Sequence, residues 1–300
     1  MSHNLQYQLK SAIDANFREG IDKRAYKGSH GRQATEKVFS YSSRKDLIQT
    51  SANFAKYIKQ EYPEVKLASQ IRSEHAEKYL LSKKEHCTSA TVEQYAARLS
   101  KINLIVNDYF KSANASWNAK APEIPTVKMR DISFQRDHYD KVMERVSNCD
   151  SYRILDLAGR FGGRVDELTY LRAKDINFNS MELRLVGKGG RERLLPIRER
   201  DVEPLKRYLE GKTSDERLFD VKKGSVNSYL GRHCKRLGIT VYKNCKTGVH
   251  AIRKMLAQEL YDEKRLEGYT REEALAYVNN YLGHGDHRPD ISDTYVQNQW

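Results

Sequence analysis

The stretch 176–197 constrains the fold most, because its pattern is typical of β-structure while helical spacing prevails elsewhere. Apolar and polar side chains alternate from Met181 to Val186, the turn sequence Gly187-Lys-Gly-Gly follows, and the chain returns through 192–197. Alternation turns one face of a strand towards a core, and a glycine-rich turn joins antiparallel neighbours. The pattern predicts a β-hairpin with Lys188 at its tip.

Helical spacing predicts the elements around this hairpin, with a break at Gly162-Gly163. The expected helices cover 135–147, 151–160, 164–172, 201–210, 224–237, 248–266 and 270–282. One hairpin among this many helices indicates a fold that is mainly α with a small antiparallel β-sheet.

The N-terminal third of the chain is also helical by periodicity. A short helix is expected around Leu5, Leu9 and Ile13, and longer ones over 47–58, 67–81 and 88–110. The apolar positions of these helices are expected to form a core. Segment 18–44 is basic and poor in aliphatic residues, so it is expected to be an arm along phosphates or a solvated tail.

Length and proline content divide the chain into two expected domains. Three hundred residues allow two cores of ordinary size. Residues 117–133 contain two of the six prolines and little periodicity, so we interpret them as the linker. The prediction is a helical domain over 1–116, in which 1–44 is a short helix and the basic arm, and a second domain over 134–300.

The net charge favours a polyanionic partner, although a merely basic protein would show it too. Lys and Arg number 53 against 40 Asp and Glu, giving a formal charge of +13. Lys and Arg that meet phosphates release condensed counterions. No long apolar run or signal sequence is present, so we expect a cytoplasmic protein without a membrane span. The four cysteines lack paired spacing and are expected to be free thiols.

Residues 250–295 concentrate groups suited to phosphodiester chemistry. His250 and Arg253 are three apart and share one helix face, so they can address one ligand. His284 follows a glycine expected to end a helix, and Tyr295 lies on a separate segment. Arginine binds phosphate through a planar, permanently charged fork.

Five motifs in this order resemble the tyrosine recombinases, also called phage integrases. They are Gly162-Gly-Arg164-Val-Asp-Glu167-Leu, Val186-Gly-Lys188-Gly-Gly-Arg-Glu-Arg193-Leu-Leu-Pro196, His250-x-x-Arg253, Leu282-Gly-His284 and Tyr295. The resemblance covers residues from about 134 to the end. It implies a helical core-binding domain followed by an α+β catalytic domain.

The resemblance also implies a role for each matched residue. Arg164 and Arg253 would bind the scissile phosphate, Glu167 would support Arg164, and Lys188 would protonate the 5′ oxygen. His250 would handle the proton of the tyrosine or support the phosphate, and His284 would hydrogen-bond the phosphate. Tyr295 would be the nucleophile and would form a 3′-phosphotyrosyl link, with no ATP, metal or other cofactor. A phenol is mostly protonated at neutral pH, so the surrounding groups must activate it.

The chain departs from the commonest family pattern in two spacings and in the segment after the tyrosine. The intervals from Arg253 to His284 and from His284 to Tyr295 are long, so His287 competes with His284. Five residues follow Tyr295, where many relatives dock a longer segment on a neighbouring subunit. Action of Tyr295 in cis and in trans therefore both remain open.

By resemblance, the expected function is site-specific DNA strand exchange for integration, excision or resolution of a mobile element. The expected partners are double-stranded DNA with inverted half-sites, a second copy of the chain on each site, a tetramer in the synapse, and accessory DNA-bending or directionality proteins. A type IB topoisomerase and a non-catalytic DNA-binding relative are the alternatives. The target sequence cannot be inferred, because base contacts depend on which side chains enter the grooves.

Overall fold

The computed structural model describes residues 4–31, 35–111, 117–125, 132–187, 190–242, 248–285 and 293–300. The chain forms two compact units, 1–127 and 128–300, and the division falls inside the predicted linker 117–133. None of the described helices combines the length and apolar character that crossing a bilayer requires.

Helices are the main secondary structure of the described residues in the N-terminal unit. Its helices are α1 (Leu5–Ala15), α2 (Lys23–Ser29), α3 (Tyr41–Glu61), α4 (Ser73–Lys83) and α5 (Ser89–Phe110). Ser40 caps α3 by accepting a hydrogen bond from the Ser43 amide at 3.2 Å, and α3 ends before Pro63, as proline requires.

An aromatic cluster holds the middle of this unit. The Phe54 ring lies 5.1 Å from that of Tyr79 and 5.9 Å from that of Trp117, and all three side chains are fully buried. Trp117 belongs to the predicted linker, so the first part of that segment packs into the N-terminal core. Burying a large aromatic side chain is favourable enough to order a segment whose sequence shows little periodicity.

The basic segment 18–44 differs from the expected arm or tail. It contains α2, and Val38 pairs with Phe17 in an isolated parallel bridge. The Lys101 ammonium of α5 donates to the carbonyl oxygens of Thr35 and Lys37. These contacts hold part of the segment against the helices.

The C-terminal unit combines seven helices with one sheet in its described residues. The helices are α6 (Arg136–Met143), α7 (Asp150–Phe161), α8 (Val165–Thr169), α9 (Glu199–Leu209), α10 (Lys223–Arg236), α11 (Val249–Leu266) and α12 (Arg271–Tyr281). The strands are β1 (Ile176–Asn177), β2 (Glu182–Val186) and β3 (Glu192–Pro196), antiparallel in the order β1-β2-β3. This confirms the predicted fold class; β1 is an additional strand.

Helix α11 separates two apolar clusters of this unit. Ile252 and Met255 belong to the larger cluster, which includes α7 and the sheet. Leu256 and Leu260 belong to a second cluster with α12 and the segment around Tyr295. Arg253 lies on the same helix between these apolar positions, which explains how a charged side chain becomes buried.

Candidate active site

The start of α11 presents His250 and Arg253 to a common cavity. Gly248 precedes the helix with φ +47°, and a Cβ there would lie 2.0 Å from Asn227 Oδ1. The same oxygen accepts the Val249 amide at 3.0 Å, so α10 fixes the first turn of α11. Glycine is required here by both its backbone conformation and the close approach.

Arg253 is a fully buried cation without a carboxylate partner among the described residues. Its terminal nitrogens donate to the carbonyl oxygens of Gly162 and Leu282, the latter at 2.5 Å, and Nη2 lies 3.3 Å from His284 Nε2. Its Nε has no hydrogen-bond partner within the described chain. Burial, together with the nearby positive charges of Arg164 and Arg193, lowers its pKa to about 10. The guanidinium is therefore charged at neutral pH, and its Nε–H has no acceptor among the described residues.

Arg164 precedes α8 and is held by Glu167. The Glu167 carboxylate accepts the Arg164 backbone amide at 2.7 Å and its Nη1 at 2.8 Å. The Glu167 side chain is 3% exposed and that of Arg164 is 36% exposed. The arginine therefore keeps a solvent-facing surface while its position is fixed from beneath.

A second arginine, Arg193 of β3, binds the same carboxylate. Its Nη1 and Nη2 donate to Glu167 Oε1 and Oε2 at 2.9 and 2.6 Å. Burial raises the pKa of Glu167, but the hydrogen bonds and charges of Arg193 and Arg164 outweigh it and lower that pKa to about 2. Glu167 is therefore ionised throughout the physiological range.

His284 reaches the site because α12 ends at the preceding residues. Gly283 has φ +71°, and its amide donates to Asn280 O at 2.9 Å. Burial and the charges of Arg253, Arg164 and Arg193 lower the pKa of His284 to about 3. The imidazole is therefore neutral, and its Nε2 must accept from Arg253, which has only donors.

Tyr295 packs on the α11 side of the site. Its ring centroid lies 5.3 Å from that of His250, 4.7 Å from that of His284 and 5.5 Å from Arg253 Cζ. The residue is 7% exposed. Gln258 of the same α11 fixes the following segment, since its side chain accepts the Gln297 and Asn298 amides and donates to Asn298 O. In this structure Tyr295 therefore lies in the site of its own chain.

A cavity of about 220 Å³ opens between these groups. Its lining residues are Gly163, Arg164, Val165, Val249, His250 and Arg253. Two arginines and an imidazole on a small cavity, with a phenol beside it, form an arrangement suited to a phosphate group and an oxygen nucleophile.

The structure brings together six residues singled out in the sequence: Arg164, Glu167, His250, Arg253, His284 and Tyr295. Lys188 and His287 lie outside the described residues. Sequence reasoning assigned no role to Arg193. A signal existed, because Arg193 pairs with Leu185 across the hairpin, and paired residues share one face of a sheet. Since Leu185 is buried, its partner also faces the interior of the unit.

Sequence comparison relates the C-terminal half of the chain to known proteins. The model of the phage integrase family matches residues 133–288. Tyrosine recombinase XerA of Saccharolobus solfataricus is 26% identical over 158 residues, which are 52% of this chain and 51% of that protein. The match thus spans about half the length of this relative.

Comparison with solved structures relates the fold over nearly the whole chain. The XerH site-specific recombinase bound to difH substrate in a pre-cleavage complex has a TM-score of 0.63 and 17% identity, covering 97% of this chain and 90% of that one. A lambda integrase tetramer bound to a Holliday junction has a TM-score of 0.64 and 15% identity, covering 100% and 80%. At these identities the likeness shows a common fold.

Proposed function

The chain belongs to the phage integrase family of tyrosine recombinases, and from this premise we propose that it is a site-specific recombinase. It cleaves and rejoins DNA through a 3′-phosphotyrosyl intermediate, for integration, excision or resolution of a mobile element. The main support is the buried Arg253, which has no carboxylate partner among the described residues, lines one cavity with Arg164 and contacts the Tyr295 ring.

The two arginines would bind the non-bridging oxygens of the scissile phosphate. As the phosphorus becomes five-coordinate, negative charge grows on these oxygens, and fixed donors stabilise it more than they stabilise the ground state. Arg253 cannot turn away, because two carbonyl oxygens hold its fork. Neutral His284 would add a hydrogen bond to the phosphate, and the other imidazole nitrogen keeps Arg253 in position.

Tyr295 would supply the nucleophile. Its oxygen forms a bond to phosphorus while the bond from phosphorus to the 5′ oxygen breaks. The phenol proton passes to His250, whose ring lies 5.3 Å from the Tyr295 ring. We assign protonation of the leaving 5′ oxygen to Lys188 by family resemblance. Attack of a 5′ hydroxyl on the phosphotyrosine reverses these steps and joins the new strand, so the bond energy is retained.

We extend the proposal to partners on the same basis. Two copies would bind inverted half-sites in double-stranded DNA, and two bound sites would form a tetrameric synapse with accessory proteins. Support comes from the structural neighbours, one bound to difH substrate and one a tetramer bound to a Holliday junction. The helical unit preceding the linker would bind DNA as a core-type domain, and the formal charge of +13 suits that partner.

Covalent trapping tests the nucleophile. Tyr295→Phe protein selects duplexes from a random-sequence pool, and the selected duplex, nicked near the scissile phosphate, traps any cleaved product. Wild type is expected to form an adduct resistant to detergent, while Tyr295→Phe binds the duplex and forms none. Tyr281→Phe is the matched control, because Tyr281 is a half-buried tyrosine that directly precedes the Leu282-Gly-His284 motif. This variant should keep the adduct. An adduct with Tyr295→Phe would show that another residue attacks.

The same substrate separates the two alternatives. A non-catalytic DNA-binding relative would bind the duplex and give no adduct in wild type. A topoisomerase would relax a supercoiled plasmid without exchanging strands between two copies of the selected site. Recombinant junctions between two sites on one plasmid are the outcome that the proposal requires.

A further inference from the structure

Arg193 adds a buried positive charge that the proposed chemistry does not yet use. Its side chain is 9% exposed and faces Glu167 at 3%. Four N–H groups converge on this one carboxylate, two from Arg164 and two from Arg193. A carboxylate has about four acceptor sites, so the two arginines fill it completely.

Arg193 also packs against the loop that carries His284. A Cβ on Gly283 would lie 3.1 Å from Arg193 Cδ and 3.4 Å from its Nη1. The glycine of the Leu-Gly-His motif therefore has two reasons to lack a side chain, its positive φ and the passage of Arg193 beside it. One side chain thereby links β3, the start of α8 and the His284 loop.

The charges of this group explain why two arginines are present. A single arginine paired with Glu167 would form a neutral unit, and a neutral unit attracts phosphate weakly. Arg164, Glu167 and Arg193 together carry a net charge of +1. Arg193 has little exposed surface, whereas Arg164 has 36%, so the exposed member of the trio is the one on the cavity.

We propose that Arg193 is a positioning residue that neutralises Glu167, so that Glu167 can orient Arg164 without cancelling its charge towards a DNA phosphate. The inference rests on the proposed function, because the phosphate it concerns is the scissile one. It adds a residue to the site and explains why an acidic group can lie beneath a phosphate-binding arginine.

A set of charge variants tests this role. Arg193→Met leaves Glu167 to Arg164 alone, and the single-turnover rate of adduct formation should fall about 100-fold, the usual cost of losing one charge-stabilising group. Adding Glu167→Gln to Arg193→Met restores a net charge of +1 and keeps an amide oxygen for the Arg164 backbone N–H. This double variant should cleave about 10-fold faster than Arg193→Met alone, a recovery of about 1.4 kcal/mol. Arg193→Lys keeps the charge and should stay within about 10-fold of wild type.

Arg184→Met is the matched control on the same hairpin. Arg184 lies on β2 and donates to Asp175, whose side chain is 8% exposed, at 2.5 Å. This pair resembles the Arg193 pair in burial of its carboxylate but lies away from the cavity lining. Its loss should lower the melting temperature and leave the cleavage rate per folded molecule within about threefold of wild type.

A second readout makes the test independent of DNA cleavage. Inorganic phosphate should raise the melting temperature of wild type. The rise should be smaller for Arg193→Met, and it should be larger for the double variant than for Arg193→Met. If wild type forms no adduct on a bound duplex, the proposed function fails, and the phosphate shifts alone decide the role of Arg193. If Arg193→Met does not fold, Arg193→Lys and the double variant carry the test.

Two results would overturn the inference. One is a double variant that cleaves no faster, and responds to phosphate no better, than Arg193→Met, which would make Arg193 a packing residue only. The other is an Arg193→Met protein that matches Arg184→Met in both measurements. A fast double variant beside a slow single variant supports the neutralising role.

Discussion

The two arginines that line the cavity are held in opposite ways. On the α8 side, Arg164 shares a buried carboxylate with Arg193, and all partners in this group are charged. On the α11 side, Arg253 is fully buried and held by two carbonyl oxygens and a neutral imidazole. The first group is an ionic network that fixes geometry, while the second is a buried charge with no carboxylate partner in the part of the chain that the structure describes, where an unpaired charge is costly.

The difference indicates how the site divides its work. Breaking a buried ion pair destabilises the folded chain, because the remaining charge loses its partner. A buried cation without a counterion gains much more from an arriving phosphate than one that is already paired. Stability should therefore depend mainly on the α8 side and cleavage mainly on the α11 side, where Tyr295 also packs.

Replacing Arg253 disturbs this division most. Arg253→Met removes the buried donor fork, and the cleavage rate should fall about 1,000-fold, at the upper end for a fixed donor to a developing anion. The free energy of unfolding should change by less than about 2 kcal/mol, because relief of a buried charge offsets two carbonyls left without donors. Adduct formation and urea unfolding measure the two effects. A variant that cleaves normally would show that the phosphate lies elsewhere.

Glu167→Gln should lower stability more, and cleavage less, than Arg253→Met does. It leaves Arg193, 9% exposed, without its counterion, and should lower the free energy of unfolding by about 3 kcal/mol. Cleavage should fall by about 10- to 100-fold, less than for Arg253→Met, since Arg164 keeps its charge and loses only its fixed position. Asp175→Asn is the control, a buried carboxylate bound to Arg184. Equal stability losses for Glu167→Gln and Arg253→Met would end the contrast between the two sides.

Lowering the pH should decrease the free energy of unfolding, first through His284 on the α11 side and then also through Glu167 on the α8 side. The pKa of His284 is about 3 in the folded chain against an ordinary 6.5, and that of Glu167 is about 2 against 4.5. Between these limits the unfolded chain binds more protons, so stability falls as pH falls. His284 contributes from about pH 6.5 downward and Glu167 from about pH 4.5. Each slope stays below about 1.4 kcal/mol per pH unit, and solvent screening at His284, which is only partly buried, reduces its share further.

Unfolding by urea across pH separates the two contributions. His284→Gln should reduce the pH dependence from 6.5 down to about 3, and of the two variants it alone should change the range above 4.5. Glu167→Gln should flatten it below 4.5. A wild-type curve that stays level from pH 6.5 to 4.5 would mean that His284 is solvated.

The sequence predicted which side chains lie in the site better than it predicted the contacts that hold them in place. Arg164, Arg253, His284 and Tyr295 lie in short motifs, because each needs a local device such as a helix start, a helix face or a glycine turn. Arg193 escaped assignment, since its partner Glu167 is 26 residues away and only the folded sheet brings them together. Likewise, Gln258 gives no local sign of the segment near 297 that it binds.

The spacing of apolar residues predicted the helices of the domain interiors, but it did not predict the structure of segments with little periodicity. Helices α3, α5 and α11 appear where apolar residues recur every three or four positions. Trp117 lay in a proline-containing stretch predicted as linker, yet it is fully buried beside Phe54. Burial of one large side chain depends on a cavity formed by distant helices, and one-dimensional spacing carries no information about that cavity.

Inorganic phosphate should give the smallest effect and separate the arginines directly. An anion that binds only the folded state stabilises it by RT ln(1 + [L]/Kd), about 1.4 kcal/mol at ten times Kd, or a few degrees in melting temperature. Because Arg253 has no counterion within the described ranges and Arg164 shares one, Arg253→Met should abolish the shift and Arg164→Met should reduce it. Chloride at equal ionic strength controls for screening. A shift that survives in Arg253→Met and disappears in Arg164→Met would reverse the assignment and place the stronger anion contact on the α8 side.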